Sequence, residues 1–467
     1  MLLSFFITKT MFYANIYPMS KIQDNKMEEI ISLCKRRGFI FQGSEIYGGL
    51  SGFFDYGPLG VELKKNIENI WWEMFVTKRD DIFGLDATQI MHPKTFEASG
   101  HAKNFADPMV EDIKTKKKYR ADQLLEDLGE DVSSMSPQDM DSFIKEKGIK
   151  SPDGNELGRV TKFNMMFSTI VGASGDEDSR TYFRPETAQG IFTNYKNVLD
   201  SLHPKIPFGI AQIGKSFRNE VAPRDFIFRI REFTQMEIEF FIKKEDWKDH
   251  FENFRKSTWD FIEAVGINKE IVSEFDVPAE DRAHYSEKTI DFEFEYPFGK
   301  KELFGLAYRT DYDLKNHSEV SRTDLSYFDQ QTGERFIPHV IEPSLGLERT
   351  VLAVLTSAYH EDEMNGEKRV FLKLPKEIAP YQFAVSPLLK NKPELVALAR
   401  EIYENLKSKG VRVIFDDNGN IGKRYRRQDE IGTPSCITVD FDSLEDQTVT
   451  LRDRDTGEQK RVKIEDL

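Results

Sequence analysis

The sequence predicts an α+β chain, with a strand-rich unit flanked by helices and a smaller α/β domain at its C-terminus. Three observations predict it. Residues 217–241 include a long alternation of apolar and polar side chains, the period of a strand with two different faces. Helical periodicity at 61–77 and 191–202 accompanies it. Beyond a proline- and lysine-marked boundary at 372–382, strand and helix patterns alternate through a separate unit of roughly 90 residues.

The whole chain bounds the function before any motif is read. At 467 residues it is long enough for two or three domains with substantial cores. A hydrophobic content of 39% with 31% charged residues suits a soluble globular protein. The net charge of −15 excludes an indiscriminate nucleic-acid binder, so a nucleic-acid partner would need local basic patches and bind in a salt-sensitive way. Two cysteines, Cys34 and Cys436, give neither a disulfide framework nor a cysteine zinc site and suit a reducing cytosol. The eight histidines lack metal-ligand spacing, so structural or solvated roles are expected of them.

Taken in order, residues 1–26 read as a disordered extension, with a short apolar run broken by Lys9 and no basic leader. Met27–Arg37 reads as a helix, and a glycine-rich turn region follows at 47–60. The helix expected from Val61 to Thr77 carries Val61, Leu63, Ile67, Ile70, Trp71, Met74 and Phe75 on one face, to pack a core or a second subunit. Residues 123–160 are acidic and polar and read as a surface insertion with one short helix. Gly209–Ser216 fits the phosphate-loop pattern letter for letter, but its variable positions are mostly apolar and an extended pattern follows, so a strand is expected. In the last unit, strands are expected at Phe383–Ser386, Val411–Phe415, Ser435–Val439 and Thr448–Arg452, with helices at Pro393–Lys409 and Arg424–Glu430. No segment approaches the roughly 20 apolar residues of a membrane-spanning helix.

The alternating stretch carries the chemistry. One face holds Phe228, Ile230, Met236, Ile238 and Phe240, which suits a core; the other holds Arg229, Arg231, Phe233, Gln235, Glu237 and Glu239, which suits a ligand. On a strand rising about 3.3 Å per residue, Arg229, Phe233 and Glu237 would sit at intervals of roughly 13 Å. A guanidinium grips phosphate, a ring stacks on a base, and a carboxylate holds an ammonium group. Arg218 and Glu220 would share a face of the preceding strand, with Val221–Ile227 as the joining loop. In a second stretch, 338–359, an extended run through Pro343 and Gly346 enters an apolar helix with Arg349 in its first turn. A cation is unexpected there, because a helix N-terminus favours acids. From the residues alone, a charged hairpin and a surface salt bridge stay open as plainer readings.

These two stretches resemble motifs 2 and 3 of the class II aminoacyl-tRNA synthetases: FRNE followed by Arg229 and Phe233, and GLER at 346–349. HPKTFEASGH (92–101), YRAD (119–122), RPETAQGIF (184–192), REFTQMEIEFF (231–241) and HVIEPSLGLER (339–349) resemble the glycyl-tRNA synthetases of homodimeric type, from about Met27 to the C-terminus. The resemblance implies an antiparallel class II sheet flanked by helices over 27–372 and an anticodon-binding domain over 378–467. It implies ATP, Mg²⁺, glycine and tRNA(Gly) as partners, a homodimer built on a motif 1 segment at 57–75, a cytoplasmic setting, no membrane and no zinc.

The implied ATP site comprises Arg218, Asn219, Glu220, Phe228, Arg229, Ile230, Arg231, Glu232, Phe233, Glu302, Leu303, Gly346, Leu347, Glu348 and Arg349. Within it, Arg218 and Arg349 are the catalytic cations, Arg229 holds the γ-phosphate, Phe233 and Arg349 sandwich the adenine, and Glu302 serves Mg²⁺. The implied glycine site comprises Arg120, Glu186, Phe233, Thr234, Gln235, Met236, Glu237, Glu342, Pro343, Ser344, Leu345 and Gly346. The KRYRR run, Lys423–Arg427, is the best basic-aromatic patch for RNA.

The inventory suits the chemistry. A glycine carboxylate is ionised at neutral pH and needs alignment and charge stabilisation, not a general base, to attack the α-phosphate of ATP. The nearest alternatives are a class II enzyme for histidine, proline or threonine and a non-catalytic, synthetase-like nucleic-acid binder. The latter should lack the ATP-facing arginines, and Arg218, Arg229 and Arg349 are all present.

Overall fold

The computed structural model describes residues 19–130, 132, 135–173, 179–364 and 366–467, with the backbone alone for 19–25 and 104. Most of the expected extension, residues 1–18, lies outside the described residues. The first helix, α1 (Met19–Arg37), starts eight residues before the expected Met27.

A seven-stranded sheet organises the larger unit. In chain order its strands are β1 (Ile82–Gly84), β2 (Phe208–Phe217), β3 (Glu232–Ile242), β4 (Val272–Asp276), β5 (Lys288–Tyr296), β6 (Gly299–Thr310) and β7 (His339–Gly346). They lie in the order β4-β5-β6-β7-β3-β2-β1, antiparallel except for the parallel pair β1 and β2. The stretch resembling a phosphate loop is therefore the body of β2. No helix begins there, so its amides bond to β3 in a full ladder and cannot converge on phosphate.

One face of this sheet is closed by α2 (Pro58–Trp72), α4 (Trp247–Ala264) and α5 (Leu347–Ala358), which bury Leu63, Ile67, Trp71, Phe261, Val351 and Leu355 with Met236, Ile238 and Phe240 of β3. Pro58 opens α2 at a position where its missing N–H costs nothing. At Gly60 a Cβ would lie 1.9 Å from the Phe39 carbonyl oxygen, so only glycine permits this approach of α2 to the β-hairpin before it. The expected helix to Thr77 ends at Trp72 and widens into a π turn over Glu73–Thr77, seating Phe75 in the core. A further helix, α3 (Ala188–Leu202), packs Ile191, Phe192 and Tyr195 against Phe208 and Phe241.

The 123–160 stretch is not a bare surface insertion. Its helix Pro137–Lys147, started by a Ser136–Asp139 capping box, buries Met140 and Ile144 against Val110 and Leu125. A small sheet of Ala106–Glu111, Lys118–Arg120 and Thr161–Asn164 backs this separate core.

The C-terminal unit is an α/β layer. Its strands β8 (Phe383–Pro387), β9 (Val413–Phe415), β10 (Ser435–Val439), β11 (Thr448–Asp453) and β12 (Gln459–Lys463) lie in the order β9-β8-β10-β11-β12. Helices α6 (Pro393–Ser408) and α7 (Ile421–Ile431) connect them. The strand β12, polar along its length with Val462 its one apolar residue, has no expectation from the sequence. A hairpin of Tyr359–Met364 and Glu367–Leu372 joins the units: its buried Arg369 pairs with Asp362 and lies 3.2 Å from Asp429 of α7, which Arg452 also holds at 2.8 Å.

Candidate active site

Where the expectation was one continuous strand from Phe228, the chain instead forms a loop until β3 begins at Glu232. Left-handed backbone at Asp225 and Phe226 and a bridge between Arg224 and Arg229 fold residues 218–231 back over the sheet. Arg218 and Glu220 likewise follow the end of β2 at Phe217. The spacing of roughly 13 Å therefore fails for Arg229. Within β3 the alternation holds: Phe233, Gln235, Glu237 and Glu239 share one face, and Thr234, Met236, Ile238 and Phe240 share the other.

Two connected cavities open on the polar face. The first is lined by Arg218, Glu220, Phe228, Arg229, Ile230, Phe233, Leu303, Gly346, Glu348 and Arg349; the second by Glu186, Glu237, Tyr285, Asp291 and Glu342. Arg218, Gln235, Glu302 and Ser344 line both and mark the junction.

The first cavity is a cationic, aromatic cleft. Arg218 donates through Nε to the Pro185 carbonyl at 3.0 Å and lies 5.2 Å from the Phe233 ring centre. It has no carboxylate partner among the described residues, so its charge is available to a ligand. Arg229 stands 3.3 Å from the buried Glu220, and burial lowers its pKa. Arg349 lies 4.6 Å over Phe228 and 3.0 Å from Glu302; burial opposes its charge, but Glu302 and Tyr296 beside it hold its pKa above the ordinary value. Phe228 is thus a cleft residue stacked beneath a guanidinium, not a core residue on the apolar face of a strand.

The second cavity is an acid pocket. Glu237 accepts from Ser344 at 2.7 Å, from Gln235 at 3.2 Å and from Thr187. Burial and then Glu186 raise its pKa, against those donors. Burial would also raise Glu186, but His101 at 3.4 Å, Arg309 and a 2.9 Å bond from Gln189 outweigh it and hold the carboxylate below its usual range. Behind both lies Arg309, 1% exposed, which reaches Glu342 at 2.6 Å and Asp313 at 2.8 Å. Burial raises Glu342 despite that partner. Five buried acids (Glu186, Glu237, Glu239, Glu342 and Asp313) gather around the Arg309 guanidinium, and with Arg218 and Arg282 as the cations of its wall the pocket still holds more acids than cations.

Not every expected site residue reaches these cavities. Thr234 turns to the helix side, where its N–H bonds to Glu348 at 2.7 Å and its hydroxyl meets Lys64, and Met236 is core. Leu345 and Leu347 are core, and Pro343 is buried in β7 away from both linings. The period of two puts alternate residues of a strand on opposite faces, so a contiguous block cannot all touch one ligand. Arg231 pins the loop through the carbonyls of Ser51 and Glu220, Glu232 pairs with Lys215, and Asn219 bonds through its N–H to Met165. Arg120 is held by Asp107 at 3.2 Å and by Asp122, outside both linings.

Of the residues the sequence reading did not select, Tyr285 and Asp291 line the pocket, and Arg309, Asp313, Gln189 and His101 hold its acids. Arg309 and Asp313 are four apart across the turn from β6 into the next helix, a spacing that signals an ion pair only once the turn is known. His101 was expected to be structural or solvated, and in the fold it faces Glu186. In the C-terminal patch, Arg424 is buried and donates to the carbonyls of Pro387, Asp417 and Gly419, so of the KRYRR run it is not a surface cation.

Similarity to known proteins agrees with this geometry. Residues 167–358 match the model of the tRNA synthetase class II core domain (G, H, P, S and T), and residues 382–467 match the anticodon binding domain. The chain is 47% identical to a glycine–tRNA ligase of Deinococcus radiodurans, over 94% of this chain and 97% of that protein. It is 49% identical to one of Clostridium acetobutylicum (96% and 98% covered) and 48% identical to one of Macrococcus caseolyticus (95% and 97% covered).

Proposed function

The chain belongs to the glycine–tRNA ligases of the class II synthetases, and from that premise we propose how its residues activate glycine with ATP and pass it to tRNA(Gly). The observation that carries the reading is the junction: a cationic, ring-lined cleft opens into an acid pocket through Arg218, Gln235, Glu302 and Ser344.

ATP lies in the cleft, with its adenine between Phe233 and Arg349 and its triphosphate toward Arg229. Glycine lies in the acid pocket, with its ammonium among Glu186, Glu237, Glu342 and Ser344. Its carboxylate then points to the junction, where Arg218 spans carboxylate and α-phosphate. The attack forms a carboxyl–phosphate bond and expels pyrophosphate. Arg218 and Arg349 offset the charge that gathers on phosphorus oxygens, the positioned-charge form of catalysis. In the second step a ribose hydroxyl at the 3′ end of tRNA attacks the glycyl carbonyl and releases AMP.

The residues at the junction suit Mg²⁺. Glu302 brings a half-exposed carboxylate to the cleft, with Glu293 opposite it on β5, hard oxygens of the kind Mg²⁺ takes alongside phosphate. These residues would hold a cation that shields the triphosphate when ATP is bound.

The reading extends to a homodimer built on residues 57–75. Supporting it are the exposed apolar side chains of Ile46, Tyr47 and Leu50 just before that segment. It extends also to the cytoplasm, which suits two buried free cysteines. Among the described residues no helix is long and apolar enough to cross a membrane.

The assignment is tested by Glu237→Gln. The KM for glycine in ATP–pyrophosphate exchange should rise at least about tenfold while the KM for ATP stays within twofold, since a charge-assisted bond is worth roughly 1.5–3 kcal/mol. An unchanged KM for glycine would contradict the placement of the ammonium.

A further inference from the structure

The residue left unexplained by this reading is Glu239. It is 0% exposed, and neither carboxyl oxygen has a hydrogen-bond partner among the described residues. It lies on the polar face of β3, two residues beyond Glu237, and does not line the pocket. Carboxyl oxygens of Glu237, Glu239 and Glu342 all lie within 4.8 Å of one another. Facing it are Glu342 from β7, Arg309 from β6, Asp313 from the following helix and Glu237 from its own strand. Across the same nest stand Glu186, Tyr285 and the buried His317. Arg309 is engaged by Glu342 and Asp313. No donor among the described residues therefore reaches Glu239, and burial without one strongly disfavours an ionised carboxylate in that position.

We propose that Glu239 is a positioning residue that stays protonated at neutral pH and gives its O–H to Glu342. Glu342 is the acceptor because its Oε1 already takes the Arg309 bond and its Oε2 is free, whereas three donors already converge on Glu237. The shared proton lets Glu342 remain a carboxylate within a surplus of negative charge and fixes its direction into the pocket. Burial, reinforced by Glu342, raises the Glu239 pKa well above the usual carboxyl range, in the direction the geometry requires. The inference rests on the glycine-pocket reading only for its kinetic consequence; the protonation state stands apart from it.

The experiment uses the full chain and two variants. Glu239→Gln keeps the shape and a donor, so it should melt within a few degrees of wild type and keep the KM for glycine within about threefold. Glu239→Leu removes the donor, and its KM for glycine should rise at least tenfold with kcat within threefold. The wild type minus Glu239→Gln infrared difference spectrum at pH 7 should contain the carbonyl band of a protonated carboxylic acid. Absence of that band overturns the proposal, as does a Glu239→Gln protein that fails to fold, because an amide reproduces the neutral acid. Equal KM values for the Gln and Leu variants overturn the positioning role. A band that is present without any KM effect overturns the link to glycine and leaves the ATP-side reading untouched.

Discussion

Arg349 and the acid pocket show how much the chemistry depends on single side chains. The Arg349 guanidinium lies over Phe228 and pairs with Glu302, a combination of ring and carboxylate contacts that the point charge of lysine cannot copy. Arg349→Lys should therefore lower glycine-dependent pyrophosphate exchange by at least about 100-fold, within the range lost with one transition-state donor, while the circular dichroism spectrum stays unchanged. In the pocket, burial and mutual repulsion raise Glu237, Glu239 and Glu342, so the acids together hold protons, among them the one Glu239 shares with Glu342, that the unfolded chain releases. For these groups stability is lost as pH rises from the ordinary carboxyl range toward the raised values. Glycine's ammonium offsets that loss, so the rise in Tm on saturating glycine should be larger near pH 8 than near pH 6, roughly by a few degrees. An equal rise at both pH values would contradict it. Glu186 has the opposite sign: its depressed pKa contributes stability above the unfolded value and loses it in acid.

At the scale of elements, the alternation within β3 was legible because a strand period of two needs only a few residues to declare itself, and Gln235, Glu237 and Glu239 fall where it puts them. Its start was not, because the same alternation of Phe228, Arg229, Ile230 and Arg231 continues through a loop that left-handed residues at Asp225 and Phe226 have already turned. Local pattern does not register a backbone reversal that tertiary contacts fix. The acid pocket was legible in Glu186, Glu237, Glu342 and Ser344, which the quoted motifs carry; Arg309, Asp313 and His101 come from β6, the helix after it and a short helix at His101–Asn104, brought together by the fold. The packing of α2 gives an element-scale test. Gly60→Ala drives a methyl into the Phe39 carbonyl, so it should lower stability by about 2 kcal/mol or more in denaturant unfolding, whereas Gly422→Ala, with only Asn420 near at 3.8 Å, should stay within about 0.5 kcal/mol.

At the scale of the whole molecule, two units are joined by buried charge. Asp429 of α7 meets both Arg369 of the connecting hairpin and Arg452 of β11, and Glu430 beside it pairs with Arg37 of α1. Removing Asp429 leaves the buried Arg452 without a carboxylate, while Arg369 keeps Asp362, and breaking such a buried pair costs about 3–5 kcal/mol. Asp429→Asn should therefore lower tRNA charging far more than pyrophosphate exchange, because exchange needs only the larger unit; an equal loss of both would show that the joint also supports the catalytic sheet. The sequence reading drew a boundary at 372–382, but the joint was not legible, since its members lie at 37, 369, 429, 430 and 452. Activation of glycine on this sheet is what every residue assignment above depends on. It is tested most directly by ATP–pyrophosphate exchange with the purified chain across the amino acids: exchange should depend on glycine, and exchange with proline, histidine or threonine but not glycine would contradict it.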